Sequence, residues 1–291
     1  MFNKYQPLKL KKPKISVFIL LMVFARNYTV QAQQDSLVHY SVYQFNRKIE
    51  IPLNLVHHAL NYSSYQILLR KTIIDERELT NLNADDVWFF DRHAAKQTYS
   101  PKTRENALVA SDLLMNGVLL LPFSLLFNRE IKSDAMDILF LYLETQAVNL
   151  SLSYAGPLLT NRKRPFVYYE EIPISEKLRA GSTDSFFSGH TSSTAAATFF
   201  MAKVYTDYHP ETAGKKWIFY TAALVPPVFE GYFRYKGLKH FPTDILMGIA
   251  VGAASGILVP HFHQKALRKQ SNITLTPYTG STSGIIMQYK F

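Results

Sequence analysis

The chain has 291 residues, no cysteine and a formal net charge of +10 at pH 7. The absence of cysteine excludes a disulfide framework and a cysteine-ligated metal site. Six basic residues precede residue 33, where there is no acid, so the remaining chain carries 10 − 6 = +4. That modest charge, without a basic stripe interleaved with aromatic residues, does not indicate a nucleic-acid partner. We expect one large domain, because no stretch between the motifs resembles a linker.

Residues 1–32 have the pattern of an export signal. A lysine-rich start precedes the apolar run 15–25, and Val30-Gln31-Ala32 resembles a small-residue cleavage site. The apolar run is short for a spanning helix, so we predict cleavage after Ala32, with an uncleaved anchor as the alternative. In either case residue 33 starts on the outer side of the cytoplasmic membrane. The signal and the lack of cysteine suit a bacterial periplasmic setting.

Residues 33–106 form a mixed, polar N-terminal region outside the membrane. A helix is possible near 53–69, and an acidic and aromatic cluster follows at 85–92. We interpret this region as amphipathic helices that lie on the hydrophobic part or cap it. A solvated surface with aromatic residues in its core explains the pattern equally well.

Five hydrophobic segments fill residues 107–262, the predicted core. They are Ala107–Phe127, Ile138–Leu159, Thr191–Val204, Trp217–Phe233 and Ile245–Val259. Several are shorter or more polar than a span of about 20 apolar residues. We predict an all-α bundle with about five membrane-spanning helices after the signal peptide. Buried helices of a soluble bundle are the alternative.

Prolines mark the fourth of these segments, and glycines mark the fifth. Pro226-Pro227 predicts a break in the fourth segment. Gly248, Gly252 and Gly256 form a flat stripe on the fifth, which lets another helix approach closely. Residues 263–291 form a C-terminal tail, in which Ile273 to Phe291 alternates weakly and is compatible with a short pair of strands.

A simple topology brings the polar motifs together. If residue 33 is outside, five crossings leave the basic loops 128–132, 215–216 and 265–269 inside, as the positive-inside rule expects. The motifs at 162–165, 188–190 and 234–244 then share the outer side. We therefore expect a site that faces the periplasm.

The motif residues suit the binding of a phosphate group. The planar forks of Arg164 and Arg234 can meet phosphate oxygens in a bidentate way. Ser188 and Gly189 stand where the third hydrophobic segment begins, and the N–H groups of a helix start add an anion site.

Two histidines supply the chemistry that a phosphate transfer needs. His240 and Asp244 are four residues apart, so one helix face can carry both. A carboxylate on one imidazole nitrogen would fix the tautomer and leave the other nitrogen free as a nucleophile. His190 could then give a proton to the leaving alkoxide. This scheme requires no metal and no other cofactor.

These pieces together resemble the type 2 phosphatidic acid phosphatase superfamily, which includes lipid phosphatases and class A acid phosphatases. The family pattern has a lysine seven residues before Arg-Pro, then Pro-Ser-Gly-His, then Ser-Arg-x5-His-x3-Asp. The matching pieces here are Arg164-Pro165, Ser188-Gly189-His190 and Arg234-x5-His240-x3-Asp244. The resemblance implies a helical bundle and a phosphohistidine intermediate. It also implies His240 as nucleophile with Asp244 as its partner, His190 as general acid and the arginines as phosphate ligands.

The chain departs from that pattern at three positions. Pro157 stands where the family has its lysine, Phe187 replaces the proline and Phe233 replaces the serine. Arg162 or Lys163 could supply the missing cation. We favour Arg162, because it lies two residues from Arg164 on an extended strand face.

The leading functional hypothesis is an inner-membrane phosphatase that acts on a lipid phosphate at the periplasmic face. Its substrate would be undecaprenyl diphosphate, lipid A phosphate, phosphatidylglycerol phosphate or phosphatidate. A soluble periplasmic acid phosphatase of broad specificity and a non-catalytic membrane relative are the alternatives. The sequence does not indicate the oligomeric state.

Overall fold

A computed structural model describes residues 41–71, 74–264, 273–279 and 283–289. The predicted export signal and its cleavage site lie outside these residues. The described part is helical apart from one strand pair near the C-terminus, which agrees with the expected bundle.

The α-helices of the described residues follow in chain order. They are α1 (Arg47–Leu69), α2 (Glu76–Thr80), α3 (Phe89–Lys96), α4 (Pro101–Leu120), α5 (Ala135–Thr160), α6 (Ile174–Lys177), α7 (Gly189–Tyr208), α8 (Lys216–Lys236) and α9 (Pro242–His263). Short 3-10 turns cover Ala84–Asp86, Leu121–Phe127, Lys132–Asp134, Pro165–Tyr168 and Pro210–Lys215.

The helix starts follow from local sequence. Asn46, Ser100 and Ser188 stand at N-caps, where each side-chain oxygen accepts a hydrogen bond from a backbone N–H of the first turn. Pro101 and Pro242 occupy first-turn positions, where a missing N–H costs nothing.

The five predicted hydrophobic segments correspond to α4 with its following 3-10 turn, α5, α7, α8 and α9. The predicted break at Pro226-Pro227 is wrong, because α8 runs unbroken through both prolines. Packing of α8 against α4 and α7 offsets the hydrogen bonds that the prolines remove. Two described helical stretches, 101–127 and 242–263, are long and apolar enough to cross a membrane. Five crossings therefore stay a prediction.

Helix α7 forms the centre of the bundle and packs against α4, α5, α8 and α9. Most of its side chains are buried, and small alanine, serine and threonine residues dominate it. The predicted glycine stripe lies on α9 against this helix. A Cβ atom added at Gly252 would lie 2.1 Å from the carbonyl oxygen of Ser192, so only glycine permits this approach. The close contact brings the starts of α7 and α9 side by side.

Contrary to our expectation, the N-terminal region does not lie wholly at the outer end of the bundle, because Gln44 donates to the carbonyl of His263 and α1 therefore starts at the end of the core opposite to the motifs. Helix α1 packs along α5, and α3 packs against the start of α9. In α1, Asn61 donates to the carbonyl of Ala147 at 2.8 Å and accepts from Ser151 at 2.7 Å. At the other end of the chain, β1 (Ile273–Thr279) and β2 (Ser283–Tyr289) pair antiparallel, with Ile273 opposite Tyr289. The strand pair suggested by the tail is thus present.

Candidate active site

The buried imidazole of His240 lies in the turn between α8 and α9. Its Nδ1 is 2.7 Å from the carbonyl oxygen of Ser185, whereas Asp244 Oδ2 is 3.8 Å away. The expected hydrogen bond from His240 to Asp244 is therefore absent from this geometry. A backbone carbonyl only accepts hydrogen bonds, so Nδ1 carries the proton and Nε2 keeps its lone pair. The carbonyl of Ser185 fixes the tautomer that we had assigned to Asp244.

Asp244 acts on the histidine indirectly. Its Oδ2 accepts from the hydroxyl of Ser185 at 2.5 Å and from the backbone N–H of Phe241 at 2.8 Å. The second bond closes the first turn of α9 as a capping box does. The carboxylate thus holds both the segment that carries the accepting carbonyl and the residue after His240.

Arg162 does not lie free for a phosphate, contrary to our expectation. Its guanidinium bridges two fully buried carboxylates, Asp91 and Asp244, at 2.5 Å each, and donates to the hydroxyl of Thr243 at 2.9 Å. It also lies over the ring of Phe241, 4.6 Å from the centroid. The two carboxylates bind the guanidinium group of Arg162 more strongly than a phosphate farther away would. Arg162 therefore stabilises the structure that surrounds the site. Its rival Lys163 pairs with Glu78 on α2.

Arg164 and Arg234 are the cations left for an anion. Among the described residues, neither has a carboxylate oxygen within 4.0 Å, and the buried Nε atom of each lacks a hydrogen-bond partner. Arg234 donates only to the hydroxyl of Ser111, at 3.3 Å. Burial lowers the pKa of Arg164, and burial with the nearby charge of Arg164 lowers the pKa of Arg234 to about 10. A buried and a half-buried guanidinium group, neither paired with a carboxylate among the described residues, favour the binding of an anion.

Lys239 is a third cation in this site, and our sequence reasoning missed it. Burial, followed by the charges of Arg164 and Arg234, lowers the pKa of its ammonium group to about 7. The Nζ atom lies 4.9 Å from the ring centroid of Phe166. A lysine that directly precedes His240 was the available signal, but neighbouring residues in a turn need not point the same way.

His190 stands at the second position of α7, near the same cations. Burial and the charges of Arg234, His240 and Arg164 lower its pKa. Its Nε2 is 3.3 Å from Asp112 Oδ1 on α4. The same cations reach His240, whose pKa falls well below the ordinary value because of burial, Arg164 and Arg234. Both imidazoles therefore share one positive field.

Ser188 and Gly189, at the start of α7, differ in how their backbone N–H groups are used. The hydroxyl of Ser188 caps α7, and its N–H donates to the carbonyl of Asp244 at 3.1 Å. The N–H that we expected to bind phosphate is thus already used. Gly189 begins the helix, where the first N–H groups have no intrahelical partner. Ser188 therefore holds α7 against α9, and Gly189 keeps its position at the start of α7.

Residues outside the predicted motifs complete the site. Asp91 on α3 accepts from Arg162 and from the N–H and hydroxyl of Thr243, at 2.5–3.0 Å. Ser185 links His240 to Asp244. Neither residue had a pattern that marked it, since a lone acid or serine in a polar stretch is ordinary.

The chain compares with known proteins as follows. Residues 134–268 match the family model of the PAP2 superfamily, a range that contains all the predicted motifs. No curated protein matches the chain. A crystal structure of a transmembrane PAP2-type phosphatidylglycerolphosphate phosphatase from Bacillus subtilis aligns with a TM-score of 0.43 and 21% identity. That alignment covers 76% of this chain and 98% of the other.

Proposed function

Because residues 134–268 belong to the PAP2 superfamily, we propose that this protein is a phosphatase that forms a phosphohistidine on His240. The observation that carries the proposal is the pair of guanidinium groups, Arg164 and Arg234, that lack an ion-pair partner among the described residues, beside a histidine with a free Nε2. A doubly charged phosphate would neutralise the cations and receive the attack of the imidazole.

The first step joins Nε2 of His240 to phosphorus and breaks the bond between phosphorus and the leaving oxygen. The neutral tautomer is ready for attack, because the carbonyl of Ser185 holds the proton on Nδ1. The lowered pKa of His240 keeps this imidazole neutral even in mildly acidic solution. As the new bond forms, positive charge develops on the ring and strengthens the hydrogen bond from Nδ1.

His190 is the proposed acid for the leaving oxygen and the base for the water that follows. In the free site the surrounding cations lower its pKa. A bound phosphate dianion reverses that field and favours the protonated imidazole. The proton passes to the leaving alkoxide, and water then breaks the phosphorus–nitrogen bond while His190 regains a proton. Inorganic phosphate and free His240 result.

Arg164, Arg234 and Lys239 are the proposed ligands of the phosphoryl oxygens, with the N–H of Gly189 beside them. Positive groups around the equatorial oxygens stabilise the transferring group in a phosphoryl transfer. In this proposal Lys239 takes the place of the family lysine that is missing at Pro157. Arg162 instead holds Asp244 and the segment 161–164 in place.

A lipid is the proposed carrier of the phosphate. In the apolar windows of 101–127 and 242–263, only 22% and 33% of the residues are buried inside the protein, unlike a helix at a soluble core. Leu113, Phe229 and Leu246 are 71%, 55% and 56% exposed on α4, α8 and α9. Apolar helix surfaces of this kind suit a bilayer. The site lies at the start of α9, and we propose that this end of the bundle faces the periplasm.

Phosphate release by the detergent-purified protein tests the reaction. The panel is undecaprenyl diphosphate, lipid A, phosphatidylglycerol phosphate, phosphatidate and p-nitrophenyl phosphate, each with and without EDTA. We expect release from one lipid class, loss of release in His240→Asn, and no loss in His261→Asn, a matched change far along α9. Retained turnover in His240→Asn would refute the covalent mechanism. Release from the small ester alone, by protein extracted without detergent, would favour a soluble acid phosphatase.

A further inference from the structure

A second cluster of polar side chains lies at the other end of the bundle. Glu50 on α1, Glu144 on α5 and His263 at the end of α9 bring their ligand atoms within 4.8 Å of one another. His263 Nε2 is 3.4 Å from Glu50 Oε2 and 3.5 Å from Glu144 Oε2. Three helices that are distant in sequence thus each contribute one possible metal-ligand atom.

The geometry of His263 directs one ring nitrogen at the two carboxylates. His263 Nδ1 is 2.9 Å from the carbonyl of Val259, so Nδ1 carries a proton and Nε2 is the ring atom that faces Glu50 and Glu144. Glu50 Oε2 and Glu144 Oε2 are buried and have no hydrogen-bond partner among the described residues. Two carboxylate oxygens this close inside a protein repel each other, and either a proton on His263 Nε2 or a metal ion bound by all three atoms offsets that repulsion.

Asn54 adds an independent sign of a missing ligand. It lies four residues after Glu50, so both side chains are on one face of α1, and both line a cavity with Glu144. Asn54 is only 5% exposed, yet its Oδ1 has no hydrogen-bond partner within the described chain. A buried amide oxygen without a donor is rare and indicates an absent partner.

We propose that Glu50, Glu144 and His263 bind a divalent transition-metal ion, with Zn²⁺ the best fit and the Asn54 amide oxygen beside it. Ligands at about 2.0–2.2 Å from zinc in a tetrahedron lie roughly 3.3–3.5 Å apart. The two distances from His263 Nε2 match that separation without movement of the helices. Mixed imidazole and carboxylate ligands suit zinc better than calcium or magnesium, which prefer oxygen alone.

The ion would stabilise the fold and take no part in phosphate chemistry. His263 follows Asp244 by 263 − 244 = 19 residues on α9, so the two sites are about 28 Å apart at 1.5 Å per residue. The ligands come from α1, α5 and α9, which also meet at this end through the backbone bond from Gln44 to His263 and the ion pair of Arg47 with Asp137. The metal would fasten the start of α1 to the core. This proposal does not depend on the proposed function.

Metal content and thermal unfolding test the site. The full chain is stripped with a chelator, dialysed and incubated with Zn²⁺, and bound metal is counted by mass spectrometry. We expect about one more bound ion in the wild type than in His263→Ala, and at least tenfold weaker binding in the isosteric Glu144→Gln. Zn²⁺ should raise the unfolding midpoint of the wild type and leave that of both variants unchanged.

The control is His261→Ala, since His261 is exposed two residues away on the same helix end. It should keep the bound ion and the rise in midpoint. The proposal is overturned if the wild type binds no more Zn²⁺ than His263→Ala, or if its midpoint does not respond. It is also overturned if Glu144→Gln, which preserves shape, binds the ion as tightly as the wild type.

Discussion

Replacement of Lys239 by glutamine should weaken the use of phosphate substrates strongly. The change keeps most of the side-chain volume and removes one charge from a field that also contains Arg164 and Arg234. A hydrogen bond to a charged group contributes about 1.5–3 kcal/mol. We therefore expect kcat/KM to fall roughly 10- to 150-fold. If binding in the ground state and in the transition state weakens equally, the loss appears mainly as a higher KM.

The loss should depend on pH in a defined direction. The pKa of Lys239 is lowered to about 7, so the ammonium is charged below that pH and neutral above it. Its contribution to phosphate binding is present in acid and is lost as the pH rises through about 7. The ratio of wild-type to Lys239→Gln kcat/KM should be largest near pH 6 and fall towards one in alkaline solution. The pH dependence of kcat/KM reports the pKa values of the free enzyme, so this profile follows the ionisation of Lys239 before phosphate binds.

The assay is initial-rate phosphate release from the best lipid substrate at pH 6, 7 and 8. Lys163→Gln is the matched control, since that lysine pairs with Glu78 and should change kcat/KM less than twofold. A difference below twofold between the wild type and Lys239→Gln at pH 6 would refute Lys239 as a phosphate ligand. An equal loss in Lys163→Gln would mean that general surface charge, and not the site, is measured.

Three further substitutions test the ion pairs of Arg162, the acid role of His190 and the packing of α7 against α9. Asp91→Asn leaves the guanidinium of Arg162 with one carboxylate instead of two, so unfolding stability should fall by up to about 3 kcal/mol and kcat should fall with it; unchanged denaturant unfolding would contradict this. His190→Ala should abolish cleavage of lipid esters, yet spare the first-turnover burst of p-nitrophenol from p-nitrophenyl phosphate, whose leaving group needs little protonation, although later turnovers still need His190 as base; equal loss of the first turnover on both substrates would exclude an acid role. Gly252→Ala places a Cβ 2.1 Å from a backbone carbonyl of α7 and should cost about 1–3 kcal/mol, whereas Gly214→Ala has open space and should cost little; equal thermal midpoints would mean that α7 and α9 do not touch as described.

The helical segments could be predicted from the sequence because they depend on local pattern. Apolar runs of helical length, Ser188 before α7 and Pro242 at the start of α9 are all visible in the chain. The glycine stripe at 248, 252 and 256 indicated a close helix contact, and α7 supplies it. The continuity of α8 through two prolines was not predictable, since it depends on neighbouring helices.

The sequence suggested candidate site residues, whereas the contacts among them became visible only in the folded chain. Spacing alone suggested that Asp244 holds His240, but a backbone carbonyl does so, and carbonyls leave no trace in a sequence. The choice of Arg162 as a phosphate ligand failed because its partner Asp91 lies 71 residues earlier in the chain. Lys239 was missed because burial and neighbouring cations, which define its role, are properties of the folded chain.

The contact between Asp91 and Arg162 has a consequence for how this module can be exchanged between proteins. The family match covers residues 134–268, yet the carboxylate that holds its Arg162 comes from α3, outside that range. Lys71, also outside it, reaches Asp184 and the carbonyl of Pro157 at 2.9 and 2.6 Å. A chimera that joins residues 134–268 to a foreign N-terminal region would leave the segments around His240 without these supports. The N-terminal region and the matched core should therefore be inherited, truncated or transplanted as one unit.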